Sequence, residues 1–213
     1  MLPSPMEILR PSESGIDNAI RRLRQLLDSA EIIAYPTETF YGLGVKYDQG
    51  DALERLYHIK QRPCDKAMPL IIGRPGLLTL LTPAIPPAAK KLIGKFWPGP
   101  LTLIFEACGN LSPYITAGTG KVAVRVPGPS FALELARHLD YPITATSANI
   151  TGMPPAETAD AVIDYFGSSV NTVVDSGKAP GNTPSTIVDV TGAEIRVVRQ
   201  GKIPQEKIFS VVS

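Results

Sequence analysis

Proline is the feature that most limits what this chain can become. Its 213 residues hold 21 prolines, grouped in runs such as "PAIPPAA", "WPGP", "VPGPS" and "GMPPAE" and not gathered in one tract. Each proline fixes its own φ, removes a backbone donor and disfavours helix in the residue before it. No element can run far between such groups, so the chain is cut into many short elements joined by turns. No internal repeat or shift of composition divides it, which predicts one domain over residues 1–213. At 44% hydrophobic and 19% charged, it reads as a soluble globular chain long enough for a sizeable core.

Between the breaks, the apolar period alternates. Ile16, Ile20, Leu23 and Leu27 recur at helical spacing, with Ser14 as N-cap and Asp17 three residues on. "EIIAY" reads as a buried strand stopped by Pro36. Asp51 to Lys60 reads as a helix, "MPLIIG" as a strand, and Pro86–Pro87 as the start of a helix that Gly94 ends. "LTLIFEA" and "KVAVRV" are strands, and Val122, Val124 and Val126 share one face of the second. Ser130 caps a helix to Leu139, "ITAT" is a strand running into "SAN", and Thr158 to Phe166 is a helix. "TVVD", "STIVDV" and "EIRVVR" close the chain as strands. The pattern predicts an α/β fold: an open twisted mixed β-sheet with flanking helices. In such folds ligands sit where strands end and loops begin. Four polar loops qualify: "PTETFYGLG", "KQRPCDK", "TSAN" and "NTPST".

Several chemistries are disfavoured. A net charge of +1 gives no global field for nucleic acid or a membrane surface. Cys64 and Cys108 lack metal spacing and suit plain thiols in a reducing cytosol. No signal peptide and no membrane-spanning run is read, so a cytoplasmic location with no membrane partner is expected. His58 and His138 are isolated, which argues against zinc and against a Ser-His-Asp centre. "GTGK" at Gly118–Lys121 fails as a phosphate loop, because Ile115 and Val122 occupy obligatory positions. Gly42-Leu43-Gly44 fails as a dinucleotide loop at Tyr47.

Cations are more informative. Arg55, Lys60, Arg62 and Lys66 gather at the end of a helix and in the following loop, where a solvated helix terminus would also place them. Arg125 and Arg199 each sit near the end of an apolar strand, held on rigid elements as carboxylate or phosphate recognition requires. Ser147 and Asn149 alternate past Ala148 and would point the same way if extended; an Asx-turn or helix cap is the competing reading.

Taken in order, "YPTETFYGLG", "KQR" with Pro-x-Asp-Lys, "AVRVP", "TSANITG" and "PSTIVD" resemble the YrdC-type threonylcarbamoyl-AMP synthase family, over about Ile32 to Gly201. The resemblance implies an open α/β fold with a concave basic groove. It implies an ATP-binding nucleotidyltransferase making threonylcarbamoyl-AMP and pyrophosphate from L-threonine, bicarbonate or CO2, and ATP. The product would feed threonylcarbamoyladenosine formation in tRNA through a downstream transferase machinery.

By the same resemblance, Lys60 and Arg62 (K-x-R) and Ser147 and Asn149 (S-x-N) serve ATP binding, joined by Arg199 and, more loosely, Lys66. Thr39, Arg125 and Ser185 serve threonine binding. Gly73 stands where some longer members carry a histidine, and Gln200 replaces the proline of R-P-G. Lys60 and Arg62 are expected to be catalytic by neutralising developing charge, with Mg²⁺ arriving with ATP and no protein-held metal. Two other readings stay open: a module binding tRNA or double-stranded RNA, and a paralogue with a different acceptor.

Overall fold

A computed structural model describes residues 6–181 and 183–212. Residues 1–5 of the N-terminal stretch, Asn182 of "NTPST" and Ser213 lie outside the described residues. In chain order the elements are β1 (Glu7–Leu9), α1 (Pro11–Ser14), α2 (Ile16–Asp28), β2 (Ile33–Pro36), β3 (Tyr41–Gly44), α3 (Gly50–Ile59) and β4 (Leu70–Ile71). There follow α4 (Pro87–Phe96), β5 (Leu101–Glu106), α5 (Pro113–Thr116), β6 (Lys121–Arg125), α6 (Phe131–Arg137), β7 (Ile143–Thr144) and β8 (Thr146–Ser147). The chain ends with α7 (Ala159–Phe166), β9 (Thr172–Val174), β10 (Thr186–Asp189), β11 (Arg196–Arg199) and α8 (Gln205–Val212).

The expected mixed α/β architecture is present, with the strands shared between two sheets. One has the order β1-β9-β2-β3-β8 and the other β11-β10-β5-β6-β4-β7, both with parallel and antiparallel neighbours. "ITAT" and "SAN" are where the single-strand expectation breaks. Ile143–Thr144 pairs with β4 in one sheet, and Thr146–Ser147 pairs with β3 in the other. The chain changes sheets across Ala145, whose amide donates to the Pro69 carbonyl at 2.9 Å.

Two apolar clusters hold the layers. The larger gathers Ala34 and Leu43 from one sheet and Leu103, Phe105, Val122 and Val124 from the other. The second packs Ile20, Leu23 and Leu27 of α2 and Leu135 and Ala136 of α6 on Ile33 and Tyr35. Val122, Val124 and Val126 are buried as expected from their shared face, which turns Ala123 and Arg125 the other way.

Some boundaries differ from the sequence reading. Ser14 does not cap α2. It ends the short helix α1 instead, and Gly15 precedes Ile16 at φ 81° with no side-chain cap. Gly94 does not end α4, which continues to Phe96, because Ile93 and Phe96 on either side of it pack against the core. Ser130 caps its helix as expected, accepting from the Leu133 amide, while Thr158 lies just before α7 as its N-cap and accepts from the Ala161 amide. Strand β3 lies inside a stretch that reads as a loop, since Gly42 and Gly44 carry no strand propensity. Gly44 is required there: a Cβ would stand 2.7 Å from the ring of Tyr35 on the partner strand.

Candidate functional site

A groove of about 640 Å³ opens between the sheets. Its floor is one face of β5, β6 and β10, presenting Thr102 and Ile104, Ala123 and Arg125, and Ile187 at every second position. Tyr41 and Gly42 of β3 and Thr146 and Ser147 of β8 line it from the other sheet.

"PTETFYGLG" is a β-hairpin, β2–β3, with residues 37–40 as its turn. Thr37 organises that turn. Its hydroxyl donates to the Phe40 carbonyl at 2.7 Å and accepts from the Thr39 amide at 3.0 Å. Thr39 Oγ1 lies 3.0 Å from Thr37 Oγ1. Thr37 Oγ1 also accepts from the Phe40 amide at 3.3 Å, and either hydroxyl of the pair can donate to the other. Thr39 Oγ1 keeps a lone pair for the groove in either arrangement.

Arg125 ends β6. Its Nη1 donates to Glu38 Oε1 at 2.7 Å, and the two side chains are about 9% and 10% exposed. Across the floor, Ser185 Oγ lies 2.9 Å from Thr102 Oγ1, and Arg199 Nη2 donates to Ser185 Oγ at 3.2 Å and to its carbonyl at 2.9 Å. Burial of the Arg199 guanidinium, then the nearby Arg125 charge, lowers its pKa from the ordinary arginine value. After Gln200 the chain passes close to residues 184–185, and only glycine fits at 201: a Cβ would meet the Pro184 carbonyl oxygen at 2.3 Å.

The K-x-R and S-x-N residues meet from opposite directions. Arg62 lines the groove, and its Nε and Nη2 donate to the carbonyls of Lys66 and Ala67 at 3.0 and 2.6 Å. Lys60 is only 2% exposed and does not line the groove. Its ammonium donates to the carbonyls of Ser147 and Asn149, at 2.5 and 2.7 Å. Burial, then the neighbouring Arg62 charge, lowers the Lys60 pKa to about 7, while the two carbonyls favour the charged form. Ser147 Oγ donates to Asn149 Oδ1 at 2.6 Å, so the two side chains do meet. Asn149 Nδ2 donates to the carbonyls of Ile150 and Met153, which fixes the loop that follows.

Six of the residues picked from sequence therefore line one groove: Thr39, Arg62, Arg125, Ser147, Ser185 and Arg199. Lys60 and Asn149 stand behind its wall and shape it. Lys66 is exposed and joins through its carbonyl, which takes Arg62 and Tyr57. Arg55 turns away, donating to the Ala30 carbonyl. Gly73 has no room for a side chain, since a Cβ would stand 2.2 Å from the Ala136 carbonyl oxygen of α6.

Sequence reasoning missed Thr37, Glu38 and Thr102. Thr102 had a signal, as the lone polar residue between leucines at the start of an apolar strand. Among the described residues no group of three or more His, Cys, Asp or Glu could hold a metal, and no helix is long and apolar enough to cross a membrane.

Comparison with known proteins adds to this geometry. Residues 25–201 match the Sua5/YciO/YrdC family, described as telomere recombination. The chain is 35% identical over 193 residues to threonylcarbamoyl-AMP synthase of Pyrococcus abyssi and 36% over 197 to that of Bacillus subtilis. Those matches take 91% and 92% of this chain and 57% of each relative, so the chain spans little more than half their length. The Photobacterium profundum synthase is 34% identical over 191 residues, 87% of this chain and 100% of its own. Among solved structures, P. abyssi Sua5 complexed with L-threonine superposes with a TM-score of 0.89 at 32% identity, over 98% of this chain and 61% of that one. Escherichia coli YciO, at 24% identity and TM-score 0.81, covers 94% of this chain and 97% of its own and shares the fold.

Proposed function

The chain belongs to the Sua5/YciO/YrdC family, and on that premise we propose that it makes threonylcarbamoyl-AMP from L-threonine, CO2 or bicarbonate, and ATP. The observation that carries this reading is the convergence of Thr39, Arg125, Ser185 and Arg199 with Arg62 and Ser147 in one groove, from segments up to 160 residues apart. A relative of known structure carries L-threonine in its complex.

The reaction asks little of a general base. Threonine's neutral amine adds to CO2 and releases a proton, leaving an N-carboxylate. One of its oxygens attacks the α-phosphorus of ATP, the bond to the bridging oxygen breaks, and pyrophosphate leaves. The nucleophile is already an anion, which suits a groove that no His, Asp or Glu lines among the described residues. The protein's tasks are to hold two anions in line and to neutralise charge as it moves to the leaving group.

Arg125 would bind the amino-acid carboxylate, and the acceptor Thr39 Oγ1 the amine or side-chain hydroxyl. Arg62 and Ser147 would bind the nucleotide, and Arg199, beside Arg125, would meet it where the two substrates adjoin. Lys60 would act from behind, holding the backbone of residues 147–149 and adding its charge to that wall. No protein carboxylate cage fits Mg²⁺ among the described residues, so the ion would enter as part of Mg–ATP, its shell completed by phosphate and water.

The test is pyrophosphate release with threonine, bicarbonate and ATP, each omitted in turn. Release that needs all three supports the proposal. A panel of amino acids in place of threonine separates a paralogue with another acceptor, and release independent of any amino acid overturns the reading.

A further inference from the structure

Glu38 has a construction around it that turn geometry alone does not require. It is the sole carboxylate of the hairpin turn, and it is directed at Arg125. Oε1 takes the Arg125 bond, while Oε2 is buried with no partner. Two Pro-Gly-Pro turns close the space beside it. A Cβ on Gly128 would stand 3.2 Å from Glu38 Cγ and 3.5 Å from the backbone of Gly99. The Gly99 amide donates to the Val126 carbonyl at 2.9 Å, tying the two turns together. "WPGP" and "VPGPS" are thus the sides of a slot that holds one carboxylate.

The charge count gives the slot a purpose. Among the described residues no Asp or Glu lines the groove. Arg125 and Arg199 both line it and lie close enough for each charge to oppose the other. Where the amino acid would adjoin the nucleotide, these two guanidiniums and Glu38 leave one net positive charge. One positive charge matches one carboxylate; two would favour a dianion such as phosphate, which arginine pairs bind well.

We propose that Glu38 is a positioning and specificity-determining residue: it fixes the Arg125 guanidinium and trims this end of the groove to a single positive charge, so that a monocarboxylate is taken and phosphate refused. This deepens the synthase reading and rests on its assignment of Arg125 to the amino-acid carboxylate. It separates the two ends of a groove that must hold an amino acid beside a triphosphate without letting either take the other's place.

The experiment compares the full chain with Glu38→Gln and Gly128→Ala. L-threonine and inorganic phosphate are each titrated calorimetrically, and KM for threonine and ATP is measured. Glu38→Gln keeps the shape and one acceptor for Arg125 but removes the charge. The ratio of phosphate to threonine affinity should then move toward phosphate by about tenfold or more, with ATP KM within about twofold. Gly128→Ala pushes on Glu38 without changing charge, so threonine should weaken while phosphate does not tighten.

An unchanged phosphate-to-threonine ratio in Glu38→Gln overturns the proposal, as does an equal loss for threonine and ATP. The two hypotheses fail differently. If the wild type neither binds threonine nor releases pyrophosphate with it, the synthase reading fails, and the phosphate titration alone decides whether Glu38 trims the charge.

Discussion

The ammonium of Lys60 lies 2.7 Å from the carbonyl oxygen of Asn149, 89 residues further along the chain. A second bond, to the Ser147 carbonyl, makes Lys60 the anchor of that loop. On the proposed function, the lysine of K-x-R would reach the nucleotide through S-x-N. Lys60→Met should lower turnover by on the order of a hundredfold or more, as for removal of a preorganised charge. It should also weaken ATP binding, because two buried carbonyls lose their donor, at about 1–3 kcal/mol each. Pyrophosphate release and calorimetric ATP titration check this; wild-type ATP affinity in the variant would refute the anchoring role.

The same lysine gives a pH signature. Its folded pKa is lowered to about 7, against 10.5 for an ordinary lysine. Between those values the unfolded chain holds a proton that the folded chain has released, so this group makes stability rise with pH across that window. Below about pH 7 both states hold the proton and the slope vanishes. Urea midpoints measured from pH 6 to 9 should climb more steeply in the wild type than in Lys60→Met. Parallel curves would show that Lys60 stays charged throughout.

Thr39→Val should raise the threonine KM by about three- to tenfold, the worth of one neutral hydrogen bond, with ATP KM nearly unchanged. Thr39→Ser keeps the acceptor and should restore threonine use. Steady-state kinetics in both substrates decide it, and equal losses for threonine and ATP would count against an acceptor role at the amino-acid end.

Gly201→Ala tests the close backbone approach behind Arg199. The added Cβ would meet the carbonyl of Pro184 at 2.3 Å and that of Ser185 at 2.6 Å, both backbone atoms that cannot swing aside. A loss of about 1–3 kcal/mol is expected from chemical denaturation. Turnover should fall as well, since Ser185 carries two bonds from Arg199 through its carbonyl.

Much of this was legible because period and punctuation are local properties. The valines of β6 and the cap at Ser130 follow from spacing alone, whereas Ser147 and Asn149 meet across a local bond from the Asn149 amide to the Ser147 carbonyl that alternation does not supply. Tertiary contacts hid the rest. Strand β3 is held by pairing and by the Tyr35 ring, neither of which glycine's propensity reveals. The break between β7 and β8 depends on which sheet offers a partner on each side of Ala145. Lys60 reads as a groove cation because sequence gives its charge and not the two carbonyls it serves. Glu38 was passed over because its partner lies 87 residues away.

The crossing at Ala145 bears on selectivity in a way separate from charge. Residue 144 is hydrogen-bonded to Val45 through its amide and to Leu43 through its hydroxyl, while it pairs with Leu70 in the other sheet. Two residues later the chain is a strand of the first sheet, facing Gly42 and Leu43. The sheets are therefore riveted together at the groove's edge, and the distance from β8 to the arginine on β6 is fixed by a few backbone bonds. A groove of fixed span acts as a length gauge. In the proposed reaction, an acceptor whose carboxylate and carbamate are spaced differently from an α-amino acid's would fall short of, or overrun, the α-phosphorus, whatever its affinity for either end.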